Sequence, residues 1–205
     1  MHSYLIQTEY AVHSLIELIH KETNKLNGLL MEKNKLKKHY DVLYQRFLGQ
    51  ELDPDANYSD AQIMQAYIQQ YKYYESHFLP VIRAIKEKQD DIAAKEESLK
   101  ALSGALLQIA KQGISIVYQR LENAPNGRLI REQPIKNIIW QARNQSMHFE
   151  EGRYSTHVRE CFEQLNIPLA NENLAREIIE LLGWNCYENY YSDMVHVLNE
   201  GVEQT

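Results

Sequence analysis

The chain has 205 residues, and its 22 Lys and Arg against 28 Asp and Glu leave a formal charge of -6. That balance excludes a protein that coats nucleic acid over its whole surface, though not one with a local basic site. With only 8 Gly and 5 Pro and an alphabet rich in Leu, Ile, Lys, Glu, Gln and Tyr, the composition is that of long helices. No run of about 18 apolar residues is present, so no membrane span is expected. The start, MHSYLIQTEYAVHS, lacks a basic segment followed by an apolar block and reads as no secretory signal. Cys161 and Cys186 lack metal-ligand or disulfide-framework spacing, which fits a reducing, cytoplasmic location.

In chain order, heptad spacing comes first. Leu5, Val12, Ile19, Leu26, Tyr40 and Phe47 fall on one seam, with Lys33 intruding. Leu15, Leu29, Leu36 and Leu43 fall on a second seam, interrupted by Thr8 and Glu22. The spacing predicts one helix from about Ser3 to Leu48, ended by Gly49 and Asp53-Pro54. Ser59-Asp-Ala-Gln62 is a capping box for a second helix with a stripe of Met64, Tyr67, Tyr71, Tyr74 and Phe78. Those aromatic residues are expected in a core or interface. Pro80 is expected to break or kink the chain. A third long helix, to about Leu121, carries Ile85, Ile92, Leu99 and Leu106 on one seam and Leu102, Ile109 and Ile116 on the other.

Asn123-APNG-Arg128 is a turn by its chemistry, and Leu129 to Gln133 reads as irregular or briefly extended. Pro134 suits the first turn of a helix carrying Ile138, Ile139 and Trp140, with Gly152 as its stop. Three shorter helices follow, over about 155–165, 173–182 and 186–198, with Gly183 capping the middle one. The expected class is all-α, with long coiled-coil-like helices packed on a compact bundle. The expected organisation is a single domain over 1–205, its long N-terminal helix in 1–52 and its bundle in about 60–205.

The segment that carries chemistry is RNQSMHF, residues 143–149. A histidine exchanges protons near neutral pH, and an arginine offers a fixed fork of donors to phosphate oxygens. Together Arg143 and His148 suit metal-free cleavage of RNA, with Asn144 orienting the imidazole or holding the phosphate. Five residues turn an ideal helix through about 500°, so Arg143 and His148 lie about 140° apart and share no face. They converge only if the helix is distorted or if two copies share a pocket, and the second route predicts a homodimer. Between residues 120 and 159 seven basic residues stand against four acidic ones, a local balance of +3. Arg128 and Arg131, just before the motif helix, and Arg153, just after it, are candidate RNA contacts.

RNQSMHF resembles the R-x4-H signature of the HEPN superfamily, all-α proteins with many RNA-cleaving members. In the form R-N-x-x-x-H it is similar to the motif of RNA-targeting CRISPR effectors. Phe149 matches the aromatic residue that follows the histidine in kinase-extension nucleases. The likeness covers residues 143–149 residue by residue and about 60–200 as architecture. It implies Arg143 and His148 as catalytic, Asn144 as the supporting polar residue, a dimeric site and metal-independent endoribonuclease activity. It also implies a toxin or defence role, with an antitoxin or regulatory protein as partner. Glu150 stands where toxin members paired with nucleotidyltransferase antitoxins carry a modified tyrosine, so the likeness does not extend to that pairing.

Two rival patterns point to metals. Glu17-x-x-His20 and Asp193-x-x-His196 are similar to di-iron carboxylate pairs, but no two further inward glutamates accompany them. His157 and Cys161 share one helix face without a second ligand pair. The expected cofactor set is therefore none. The alternative functional class is a non-catalytic helical interaction or RNA-binding protein that uses its heptad seams for a partner.

Overall fold

The structure, a computed structural model, describes residues 3–49 and 57–198. It is all-α: α1 (Ser3–Leu48), α2 (Asp60–Tyr73), α3 (Leu79–Tyr118), α4 (Ile135–His148), α5 (Thr156–Gln164), α6 (Ala175–Leu182) and α7 (Tyr187–Leu198). The one extended feature among the described residues is a two-stranded antiparallel hairpin, β1 (Leu129–Ile130) and β2 (Gln133–Pro134), where the sequence reads as irregular or briefly extended. The expected helix stop at Asp53-Pro54 lies outside the described residues.

The chain divides into two compact units, Met1–Thr23 with Glu97–Thr205, and Asn24–Glu96. Tyr4, Leu5, Val12 and Ile16 of α1 are buried in the first unit's core, alongside Leu106, Leu107, Ala110 and Ile114 of α3. The start of α1 is thus part of the bundle rather than an extension of it. Heptad spacing alone does not reveal this, because it reports a buried stripe and not the partner that covers it.

The first unit is built around Ile135, Ile138, Ile139 and Ala142, one face of α4. Phe162 of α5, Ile178 of α6 and Met194 of α7 complete this core and are fully buried. Each such apolar side chain contributes about 1.5–3 kcal/mol by leaving water. On α3 the seam of Leu99 and Leu106 is buried as expected, but the second seam is displaced. Ser103, Ala110 and Ile114 are buried, whereas Ile116 is 58% exposed. A helix inside a bundle meets several neighbours, so its buried face is broader than a two-helix seam and need not follow a strict heptad. Gly113 fits this crowding, since a Cβ there would sit 2.8 Å from the ring of Tyr4.

The second unit has a small core of Leu43, Phe78 and Val81, joined by Tyr40, Phe47, Tyr73 and Ile85. The ring of Phe78 meets those of Tyr40 and Phe47 edge-on, at 5.3 and 5.6 Å. The Ser59–Gln62 capping box is formed as the sequence predicts. Pro80 does not break the chain. Residues Tyr74–Phe78 form a π-helical turn that leads directly into α3, with the Leu79 N–H bonded to the Tyr74 carbonyl. Proline has no N–H to give to the preceding turn, and a wider turn just upstream accommodates that loss. The expected α2 stripe is also corrected. No residue of α2 is buried, and Met64, Tyr67 and Tyr71 are each at least 60% exposed. The half-buried face is instead Ile63, Ala66, Gln70 and Tyr73, one step round the helix.

Candidate functional site at the end of α4

The route into α4 is tightly specified. The β1–β2 hairpin turns through Arg131 and Glu132, and Arg131 takes a left-handed φ of 54°. Pro134 then serves as the N-cap of α4 with φ -68° and ψ 141°. Its fixed φ and missing N–H suit the start of a helix. Just upstream, Gly127 has φ 65°, and a Cβ there would collide with Ile135 and Val197. The far end of α4 is equally well defined. A 3-10 turn covers Phe149–Glu151, and Gly152 closes it with a left-handed φ of 62°.

The loop beyond is anchored from below. Gln145 is fully buried; its amide donates to the Glu172 carbonyl at 2.7 Å and accepts from the Leu174 N–H at 3.1 Å. The Tyr154 hydroxyl donates to the Ala170 carbonyl at 2.7 Å. These bonds fix the positions of residues 149–155 and 170–174 against α4.

Within this frame the motif residues point two ways. His148, the last residue of α4, is half exposed, and its Nδ1 lies 2.7 Å from Oε1 of Glu151. The carboxylate fixes the orientation of the imidazole through Nδ1. Asn144, His148, Glu151, Arg153, Tyr154 and Ser155 line one open cleft of about 350 Å³, with Val158 at its base. Arg143 does not line it. Its Nε donates to Oε1 of Gln108 on α3, and its Nη1 lies 3.4 Å from Oδ1 of Asn144. The separation follows from helical geometry, because α4 is regular α-helix from Ile135 to His148. Asn144 touches both environments, bonding Arg143 and lining the cleft.

The three arginines expected to bind RNA also differ. Arg128 is engaged: its Nε and Nη2 hold both carboxylate oxygens of Asp193 at 2.6 and 2.9 Å, and Nη2 also donates to the Leu182 carbonyl. Asp193 is buried and accepts the indole N–H of Trp184 at 2.8 Å as well. The hydrogen bond to Asp193, ahead of any effect of burial, raises the Arg128 guanidinium pKa. Arg128 therefore joins the hairpin loop to α6 and α7. Arg131 and Arg153 are exposed and form no ion pair among the described residues.

The residues of the rival metal patterns do not converge. Among the described residues no group of three or more His, Cys, Asp or Glu side chains is placed to hold one ion. Burial pushes the Cys161 thiol up to about 12, and His157 points to solvent beside Glu160. His196 is tied to the Ser192 carbonyl at 2.6 Å.

Sequence reasoning missed four participants: Gln108, Lys111, Gln145 and Glu151. Glu151 lies three residues after His148, a spacing visible in the sequence. Gln108 and Lys111 sit on another helix, and only the packing of α3 on α4 brings them near Arg143.

Set against known protein families, curated proteins and solved structures, the chain matches none. No helix among the described residues is long and apolar enough to cross a membrane.

Proposed function

We propose that this protein is a metal-independent endoribonuclease of HEPN type with a toxin or defence role. The observation that carries this reading is the cleft at the end of α4, where Asn144, His148 and Arg153 open to solvent and Glu151 steadies the imidazole. The nucleophile is the substrate's own 2′-OH. His148 takes its proton as the 2′-oxygen bonds to phosphorus, the P–O5′ bond breaks, and the leaving 5′-oxygen takes a proton from water while His148 returns its own to solvent. Arg143 stabilises the charge on the phosphoryl oxygens. Because Arg143 and His148 of one chain face apart, the complete site takes Arg143 from one copy and His148 from another. Arg131 and Arg153 carry the RNA backbone, whereas Arg128 acts by holding the loop.

The test is product chemistry. Purified protein in EDTA should cut single-stranded RNA, leave the matching DNA intact and produce 2′,3′-cyclic phosphate ends. Cleavage of DNA at a similar rate, or RNA products with 3′-hydroxyl ends, would reject the mechanism.

A second reading, a helical interaction protein, is favoured by one observation: the exposed apolar face of α2. Met64, Tyr67, Ile68 and Tyr71 repeat with spacings of three, one and three, a pattern that reads the same in both directions. Two copies packed antiparallel about this centre set Met64 against Tyr71 and Tyr67 against Ile68. The face offers roughly 500 Å² per copy. That is a large part of the ~800 Å² per partner of a standard interface, so we assign it to a second copy of this chain.

A further inference from the structure

Two cations meet where α3 packs on α4, and among the described residues no acid is paired with either. The Lys111 ammonium lies 4.3 Å from the centre of the Trp140 ring. One turn along on each helix, Arg143 is bonded to Gln108. The ammonium and guanidinium are close enough for the Arg143 charge, after burial, to lower the Lys111 pKa. Both side chains are half-buried, so they are partly shielded from water yet still reachable from it. Neither forms an ion pair among the described residues, and the two hydrogen-bond partners of Arg143, Gln108 and Asn144, are neutral amides.

Two neighbouring like charges repel, and a half-buried pair repels more strongly than one in open water. Long cationic side chains usually relieve this by reaching for solvent or for a carboxylate. Here each is held in place, Lys111 by the face of Trp140 and Arg143 by Gln108 at Nε. What remains is a donor set: the three ammonium hydrogens and the Nη edge of the guanidinium, of which only Nη1 has a partner, the long contact to Asn144. Such a set suits a tetrahedral oxyanion, for which arginine supplies the fork and lysine a point charge.

We propose that Lys111 and Arg143 form an oxyanion-binding site on the α3–α4 surface that takes a phosphate group. The site shares Arg143 with the nuclease reading but does not depend on cleavage. It makes Lys111 a phosphate-binding residue. The chemistry is common to an RNA phosphodiester and to a free phosphate, and the experiment separates them.

The full chain, with its lysines labelled for NMR, is titrated with inorganic phosphate while the Lys111 side-chain signal is followed. The signal should shift saturably, and the Lys111 pKa should rise as the bound anion relieves the repulsion. Lys111→Met should weaken phosphate binding by about tenfold or more, and Lys111→Arg should largely restore it. Lys136→Met, whose ammonium is bonded to the Ala124 carbonyl elsewhere in the unit, serves as the control and should bind as wild type does. An uncleavable 2′-O-methyl RNA that displaces phosphate identifies nucleic acid as the source of the group. Failure to displace it identifies a free phosphate. No saturable shift at Lys111, or undiminished binding in folded Lys111→Met, would overturn the site. Phosphate binding without RNA cleavage would keep the site and reject only the nuclease reading. Cleavage without phosphate binding would do the reverse.

Discussion

The Nδ1 of His148 lies 2.7 Å from the Oε1 of Glu151, three residues further along the chain and across the end of α4. The contact orients an exposed imidazole at the mouth of a cleft without burying it. Glu151 is therefore a positioning residue for the proposed chemistry. Glu151→Gln should retain an acceptor for Nδ1 and lower cleavage modestly, while Glu151→Ala should lower it further. Both should act on kcat more than on KM. Equal rates for wild type and Glu151→Ala across the pH range would remove this role.

The basic residues around the motif should separate by function. Arg128→Ala leaves buried Asp193 with only its Trp184 partner. Because Arg128 is partly exposed, we expect a loss of about 2 kcal/mol, below the range for fully buried pairs. Thermal or urea unfolding reads this directly. Replacing Arg131 and Arg153 together should leave stability unchanged and weaken RNA binding, reducing the magnitude of its salt slope by roughly 1.4. An Arg128→Ala protein as stable as wild type, or an unaltered slope in the double variant, would contradict these assignments.

Gln145 is the internal anchor of the cleft. Gln145→Leu keeps much of the volume but leaves the buried Leu174 N–H without its acceptor. The expected cost is about 1–3 kcal/mol. Hydrogen exchange should quicken first in residues 149–155 and 170–174, before the rest of the bundle. Uniform exchange across the first unit would show that Gln145 supports the core generally rather than the cleft.

The α2 face predicts self-association. Tyr67→Lys with Tyr71→Lys places like charges opposite the apolar centre of the paired face. Sedimentation should find wild type as dimers at micromolar concentration and this variant as monomers, with unchanged circular dichroism. If both sediment as monomers, or both as dimers, the face does not join two copies.

Much of this architecture was legible because it rests on local chemistry. The Ser59–Gln62 capping box, the Gly183 stop and the seam of Leu5, Val12 and Leu26 all depend on residues close in sequence. What was not legible depends on partners. The α2 stripe is apolar at helical spacing, yet it faces solvent, because periodicity names a face and not what covers it. Arg128 looked like a free loop arginine, and its partner Asp193 lies 65 residues away. Within the site, the divergence of Arg143 and His148 was readable from the helical angle alone. The cation pair of Arg143 and Lys111 was not, since it forms only when α3 and α4 pack.

The central claim is that His148 moves a proton in RNA cleavage. Its most direct measurement is the single-turnover cleavage rate of His148→Ala beside wild type, in EDTA, with folding verified by circular dichroism. Loss of general acid–base help should lower the rate by about 10²–10⁴. A folded His148→Ala protein that cuts RNA at the wild-type rate would contradict the mechanism.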